Sequence, residues 1–309
     1  MKKLISILIP TYNEFENIDN CYSEVKKELD KLTEYDHEII ILDNKSTDGT
    51  FDLIKKICKK DSKVRAFRYS NNFGVQKSLL YGYKASKGDA IIQIDCDLQD
   101  SPKLFSKFIE KWQQGFDVVY GIRSKRTEGL FLRNLIKIYY WLLTKITNGE
   151  IPANAGDFRL ITKRIVSHLL NIQSDDLYIR GAIAKIGFNQ AGIEYKRGVR
   201  KKGTSKFNFF SYIDFAFTGI TQNSSIPLRG ILYLGVLIMI MSLILIFYYL
   251  FEKIFLGINV TGFATLVCLI LFSIGLNSIM LGLIGEYLNR VYAQTKTFTS
   301  VIIEEEINN

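Results

Sequence analysis

The sequence predicts an α/β fold, a mainly parallel sheet with flanking helices, followed by two transmembrane helices near the C-terminus. Three observations carry this. Short apolar runs alternate with stretches of helical spacing through roughly the first 120 residues. Polar, turn-prone motifs follow those apolar runs. Two long stretches, residues 230–251 and 254–285, carry no charged side chain. At 309 residues the chain has room for one large domain and an appendage.

Taken in order, residues 4–10 are a short apolar run that ends in a turn, the mark of a buried strand. Residues 17–32 have helical spacing through Ile18, Cys21, Tyr22, Val25 and Leu29. Residues 38–42 (EIIIL) predict a second strand and Thr50–Lys60 a second helix. Val64–Tyr69 reads as a third strand, residues 75–86 as a helix and residues 90–94 (AIIQI) as another strand. Residues 103–115 then predict a helix and residues 117–120 a strand. Strands separated by ten-residue helices imply right-handed crossovers and parallel pairing. Such sheets bind ligands at the carboxyl ends of their strands.

Residues 231–251 form an uninterrupted apolar run, and a second run covers about 262–288. A helix needs about 20 such residues to cross a bilayer. Gly275, Gly282 and Gly285 are small residues that let helices approach closely. The connecting loop holds one lysine, whereas Arg197, Arg200, Lys201, Lys202, Lys206 and Arg229 precede the first run. The positive-inside rule puts residues 1–228 in the cytoplasm, the hairpin at 229–288, and a tail at 289–309 on the cytoplasmic side. Residues 130–147 mix apolar and aromatic side chains with Arg133, Lys137 and Lys145, the character of a helix in the headgroup region. Residues 207–219 read the same way.

All but three of the 40 basic residues and all but five of the 31 acidic ones lie within residues 1–229, a net charge of +11 there. That balance suits an anionic partner. No nucleic-acid recognition motif is present, and the membrane gives the basic residues a better use. The four cysteines form no CxxC pair, so neither a disulfide framework nor a zinc site is indicated. His37 and His168 stand apart and read as structural.

Three motifs follow strands. Pro10-Thr11-Tyr12-Asn13-Glu14 ends the first. Asp43 to Thr50 (DNKSTDGT) follows the second; Ser46 or Thr47 reads equally as a cap for the next helix. Asp43 follows an apolar run directly, where a carboxylate can accept from a base N–H or a ribose hydroxyl. Asp95-Cys96-Asp97-Leu98-Gln99-Asp100 follows the fourth predicted strand. In an extended segment Asp95 and Asp97 point the same way, with Gln99 adding a carbonyl oxygen. Such hard oxygen ligands suit Mg²⁺ or Mn²⁺ held jointly with phosphate oxygens.

With these motifs in order, residues 4–125 resemble the family 2 glycosyltransferases with the A-type nucleotide-sugar-binding fold. The matching features are IPTYNE, LDNKSTDGT, NNFGVQKS and IDCDLQD. More narrowly, the chain resembles the polyprenyl-phosphate glycosyltransferases. That match rests on DLQD with the following SP, on VVYGIRSKR, on Gly156 to Leu160 (GDFRL), on Gly203 to Lys206 (GTSK) and on the two apolar runs. Asn44 departs from the family, which often has a second aspartate there. The resemblance implies that Asp43 contacts the nucleotide base, with Pro10, Tyr12 and Glu14 lining the pocket. Asp95, Asp97 and Gln99 would hold the metal and diphosphate, Asp95 also contacting the nucleotide. Asp157 would sit at the reaction centre, with Arg123, Arg126, Arg133 and Lys206 as candidates for the acceptor phosphate.

The implied reaction is inverting transfer of a sugar, from a UDP-hexose by preference, to a polyprenyl phosphate at the cytoplasmic membrane face, for cell-envelope glycan modification. A phosphate monoester is largely a dianion at pH 7 and attacks without losing a proton, so Asp157 is open to either a base or an orienting role. A processive polysaccharide synthase would carry QxxRW, which is missing. A catalytically silent membrane scaffold would have lost Asp95 and Asp97. The partners implied are the donor, the lipid phosphate and the bilayer, with room for a homo-oligomer.

Overall fold

The computed structural model describes residues 2–123, 155–172, 177–196, 198, 262–295 and 301–308, with scattered positions between 233 and 255. Two compact units are present: Met1–Ile213 with Thr297–Asn309, and Asp214–Lys296. In the first unit the chain runs β1 (Leu4–Thr11), α1 (Ile18–Leu29), β2 (Asp36–Asp43), α2 (Thr50–Lys60), β3 (Val64–Tyr69), α3 (Val75–Ala85) and β4 (Ala90–Gln93). A short 3-10 turn, Pro102–Leu104, leads into α4 (Phe105–Gln113) and β5 (Val118–Arg123). Then come β6 (Ala155–Thr162), α5 (Lys163–Leu170), α6 (Ile179–Ile186), β7 (Gln190–Tyr195) and, at the far end of the chain, β8 (Ile303–Ile307).

The sheet order is β7-β5-β6-β4-β1-β2-β3-β8. Strands β1 to β4 form the expected parallel block. The strand predicted at 117–120 is β5, but it does not lie beside β4. Strand β6 is inserted between them, antiparallel to both. At the other edge β8 pairs antiparallel with β3.

Side-chain alternation builds two cores. Ile5, Ile7 and Ile9 of β1, Ile39 and Ile41 of β2, and Ile92 of β4 face one side, against Cys21 and Val25 of α1, Ile54 of α2 and Phe108 of α4. Leu8, Ile40, Leu42 and Ile91 face the other, against Leu79 and Tyr83 of α3, Ile165 of α5 and Ile183 of α6. Both faces are therefore covered, which is why these strands read as near-continuous apolar runs rather than alternating ones. Each isoleucine buried this way contributes about 1.5–3 kcal/mol. Because α1 and α3 lie on opposite faces and β1 is flanked by β2 and β4, the strand order reverses at β1. A crevice opens there, beyond the carboxyl ends.

In the second unit α7 (Phe263–Thr295) is a helix of 33 residues, coinciding with the second expected span. At 1.5 Å per residue it is roughly 50 Å long. Counting only residues whose side chains are described, no helix is long and apolar enough to cross a membrane. The first expected span, 231–251, is described only at scattered positions, all of them helical. The expected interfacial helices at 130–147 and 207–219 lie outside the described residues, as do Arg126, Arg133 and Lys206.

Candidate active site

The first two motifs meet at the carboxyl ends of β1 and β2, where Thr11 is in register with Asp43. Asn13, with φ 53°, donates its backbone N–H to Ser46 Oγ (2.9 Å) and accepts from the Thr47 N–H through Oδ1 (2.8 Å). Glu14 N–H donates to Thr50 Oγ1 at 3.0 Å, and Phe15 N–H to Asp48 Oδ2 at 3.2 Å. Ser46 and Thr47 thus tie the loops together instead of capping a helix. The cap of α2 is Gly49, at φ 87°, where only glycine is unstrained.

Asp43 is fully buried at the floor of this junction. Its two carboxylate oxygens each accept from Ser46 N–H at 3.3 Å, and Arg68 Nε lies 3.7 Å away. Burial raises its pKa, opposed by Ser46 and Arg68. Its neighbour Asn44 is only 2 % exposed, and its Oδ1 has no hydrogen-bond partner among the described residues. An unpaired buried carbonyl costs about 1–3 kcal/mol, so it is a place where a ligand donor is favoured. Tyr12 is exposed and Glu14 half-buried at the rim, while Pro10 is a buried strand residue opposite Leu42.

The third motif is not extended. Strand β4 ends at Gln93, and a turn follows in which Leu98 N–H bonds the Asp95 carbonyl (3.4 Å) with Leu98 at φ 52°. Asp97 Oδ1 accepts from Gln99 N–H at 3.1 Å, and the Gln99 carbonyl accepts from Gly198 N–H at 2.8 Å. A turn, not strand alternation, therefore sets the directions of Asp95 and Asp97. Among the described residues no three His, Cys, Asp or Glu side chains enclose a metal-sized space.

Strand β6 supplies the missing half of the site. Gln93, where β4 ends, is in register with Arg159, and Asp157, two residues from Arg159 on β6, lies close enough to act on the Asp95 carboxyl. The consequence is electrostatic. Burial, together with the carboxylates of Asp157, Asp100 and Asp97, pushes Asp95 up to about 7, with Arg123 only partly opposing. Asp157 goes the other way. Its burial would raise it, but Arg180, Arg159 and Arg123 outweigh that and hold it below the usual carboxylate range. Arg180, from the first turn of α6, grips it with two hydrogen bonds, Nε to Oδ1 at 3.2 Å and Nη2 to Oδ2 at 2.8 Å. The buried Arg159 stands 3.7 Å from Oδ1 and anchors itself on the Gly156 carbonyl at 2.9 Å.

Arg123, at the end of β5, lies behind the carboxylate turn. Its Nη2 is 3.5 Å from Asp100 Oδ2 and its Nε donates to Tyr195 Oη at 3.4 Å, while Tyr195 itself donates to Asp100. Sequence reading missed Arg180, Arg159 and the Asp100–Tyr195 pair. Asp100 was visible only as the last residue of its motif, and nothing in the local pattern marks Arg180 or Tyr195.

The fit to a divalent cation follows from this charge balance. A carboxylate raised by burial and by three neighbouring carboxylates is relieved by a hard cation, and oxygen donors suit Mg²⁺ or Mn²⁺. Such ions are commonly held by one or two carboxylates with substrate phosphates completing the shell, which agrees with the lack of a closed protein cage.

Residues 6–170 match the family model described as glycosyl transferase family 2. The prophage bactoprenol glucosyl transferase homolog of Escherichia coli (strain K12) is 35% identical over 301 residues, 97% of this chain and 98% of that one. The bactoprenol glucosyl transferase of Shigella phage SfV is 34% identical over 303 residues, 98% of each. Among solved structures, glucosyl-3-phosphoglycerate synthase from Mycobacterium tuberculosis, in complex with Mn²⁺, UDP and phosphoglyceric acid, superposes with a TM-score of 0.50. It is 18% identical and covers 71% of this chain and 76% of its own, a likeness of fold.

Proposed function

This chain belongs to glycosyl transferase family 2, and we propose that it transfers a sugar from a nucleotide-sugar, a UDP-hexose by preference, to a polyprenyl phosphate, inverting the anomeric centre. The observation that carries the proposal is the pair Asp95 and Asp157. They interact where β4 ends beside β6, Asp95 raised by burial and by Asp157, and Asp157 held low by Arg180, Arg159 and Arg123. The relatives named for bactoprenol supply the acceptor class. The Mn²⁺ and UDP of the mycobacterial structure support the donor and metal class.

In this reading Asp43 and the unpaired Asn44 Oδ1 face the base, with Tyr12 and Glu14 at the rim. Asp95 and Asp97 hold Mg²⁺ or Mn²⁺ with the donor diphosphate, and Gln99 closes the turn. When bound, that ion stabilises the charge developing on the nucleoside diphosphate as the glycosidic bond breaks. Asp157, held low by three arginines, is a poor proton acceptor. A phosphate dianion needs none, so Asp157 fits the orienting role: it fixes Arg180 and Arg159. Arg123, which in the structure pairs with Asp100 and Tyr195, is a candidate for the acceptor phosphate together with Arg126, Arg133 and Lys206.

Membrane attachment through two spans, with the catalytic unit on the cytoplasmic face, completes the proposal. Helix α7 exposes Leu266, Leu269, Phe272, Ile279, Leu281 and Leu288 around its circumference, more apolar surface than a helix in water carries. The test is incubation of detergent-solubilised protein with undecaprenyl phosphate, Mg²⁺ or Mn²⁺ and a panel of labelled nucleotide-sugars. We expect one donor to label the lipid; no labelled lipid from any donor sinks the proposal. An Asp97→Ala variant that keeps full metal-dependent turnover sinks the metal assignment.

A further inference from the structure

The far C-terminal strand β8 closes the sheet edge at β3, next to the loop that follows Asp43. Its pairing is irregular. Arg68 is in register with Glu305, but Tyr69 is in register with Ile303, so Glu304 is an extra residue with no partner across the strands. This is a β-bulge, a device that re-aims one side chain and is common beside functional sites. The bulge also accounts for the pattern IEEEI. It turns Ile303 toward one core and Ile307 toward the other, although they are four residues apart. The strand is pinned at both ends: Ser70 N–H donates to the Ile302 carbonyl at 2.9 Å, and the Asn308 amide donates to the carbonyls of Cys58 (2.8 Å) and Val64 (2.9 Å).

The bulge delivers the Glu304 carboxylate to Lys45, two residues beyond Asp43, and to within 3.5 Å of Arg68 Nε. Arg68 is shared. Its Nε lies 3.7 Å from Asp43 and has no hydrogen-bond partner among the described residues. Its Nη2 donates to the Ser46 carbonyl at 3.3 Å, and its guanidinium lies over the Phe51 ring. Lys45 itself sits at φ 62°, in the left-handed region that is uncommon for lysine. Glu304 thus contacts Arg68, which also pairs with Asp43, and Lys45, two residues further along the same loop.

We propose that Glu304 is a positioning residue for donor binding: it anchors Lys45 and competes with Asp43 for the shared Arg68 guanidinium, so that the Asp43 carboxylate remains available to the nucleotide. The inference rests on the reading of Asp43 as the base-contacting carboxylate. It makes the strand that follows the second unit part of the donor site, although it is more than 250 residues from Asp43 in sequence. Without Glu304, Arg68 closes the remaining gap to Asp43 and the loop bearing Lys45 relaxes. Both changes weaken the donor and leave the sugar-transfer step untouched.

The experiment is steady-state kinetics on the full chain in detergent, with the active nucleotide-sugar varied at saturating undecaprenyl phosphate. Glu304→Gln is expected to raise the donor KM about fivefold to tenfold with kcat within twofold and the melting temperature unchanged. Glu304→Asp is expected to recover most of the loss. Glu306→Gln, on the same strand but bonded to Tyr81, should match the parent. The proposal is overturned if Glu304→Gln leaves the donor KM unchanged, or if it lowers kcat and melting temperature together, as a merely structural strand residue would. Asp43→Asn separates the two layers. A raised donor KM there with none in Glu304→Gln removes only this inference; no change in Asp43→Asn removes the pocket reading beneath it.

Discussion

Replacing Asp95 by asparagine should make the metal-free protein more stable while abolishing turnover. The carboxyl is pushed up to about 7 by burial and by Asp157, Asp100 and Asp97, whereas an unfolded aspartate ionises near 3.9. The folded state therefore binds the extra proton between those values. The stability this group contributes is fully present below about pH 4, drains away as pH rises to about 7, and stays lost above. At 1.36 kcal/mol per pH decade the gap caps the cost at about 4 kcal/mol. The side chain is only half-buried, so water discounts this to about 2 kcal/mol. For a unit of this size that is about 4–8 °C in melting temperature. The assay is thermal unfolding of the parent and Asp95→Asn without metal or nucleotide at about pH 5 and about pH 8. The variant should melt higher at the upper pH, with the gap shrinking at the lower. Adding Mn²⁺ and UDP should stabilise only the parent. A variant that melts at or below the parent at about pH 8, or a gap independent of pH, refutes the reasoning.

Arg180→Met removes the bidentate partner of Asp157, whose carboxyl should then rise toward its ordinary range. We expect kcat to fall about 100-fold through lost positioning, with the acid limb of the rate profile moving to higher pH; an unmoved limb would count against the orienting role. At the opposite pole of the sheet, Gly88→Ala places a Cβ 2.5 Å from Ser6 Oγ and 2.7 Å from the Ser6 backbone nitrogen. Denaturant unfolding should show a loss of about 1–3 kcal/mol with the donor KM unchanged, and a neutral result would mean β1 yields more easily than its packing suggests.

The legible part of the fold was the part built from local pattern. Strands β1 to β4 are apolar runs bounded by turns, buried on both faces, and the helices between them show one apolar stripe each. Their bounds in the structure differ from the expected ones by a few residues. The illegible part was built from non-local pairing. Strand β6 (AGDFRLIT) carries Asp157 and the buried Arg159 within it, so its composition argues against a core strand until their mutual pairing is known. Strand β8 holds three successive glutamates, which alternation alone assigns to solvent.

The parallel block, the placing of each polar motif at a strand end, and the residue chemistry suited to a nucleotide and a hard cation are all written in the local pattern of the chain. Period and turn chemistry are properties of neighbouring residues, so they survive without the fold. What those motifs face depends on pairing between distant segments. Inserting β6 between β4 and β5 brings Asp157 and its arginines to Asp95; burial and the neighbouring carboxylates raise Asp95, and the arginines hold Asp157 low. The bulge in β8 brings Glu304 to the cations beside Asp43. Coulomb interactions depend on distance in space, and no separation along the chain reports it.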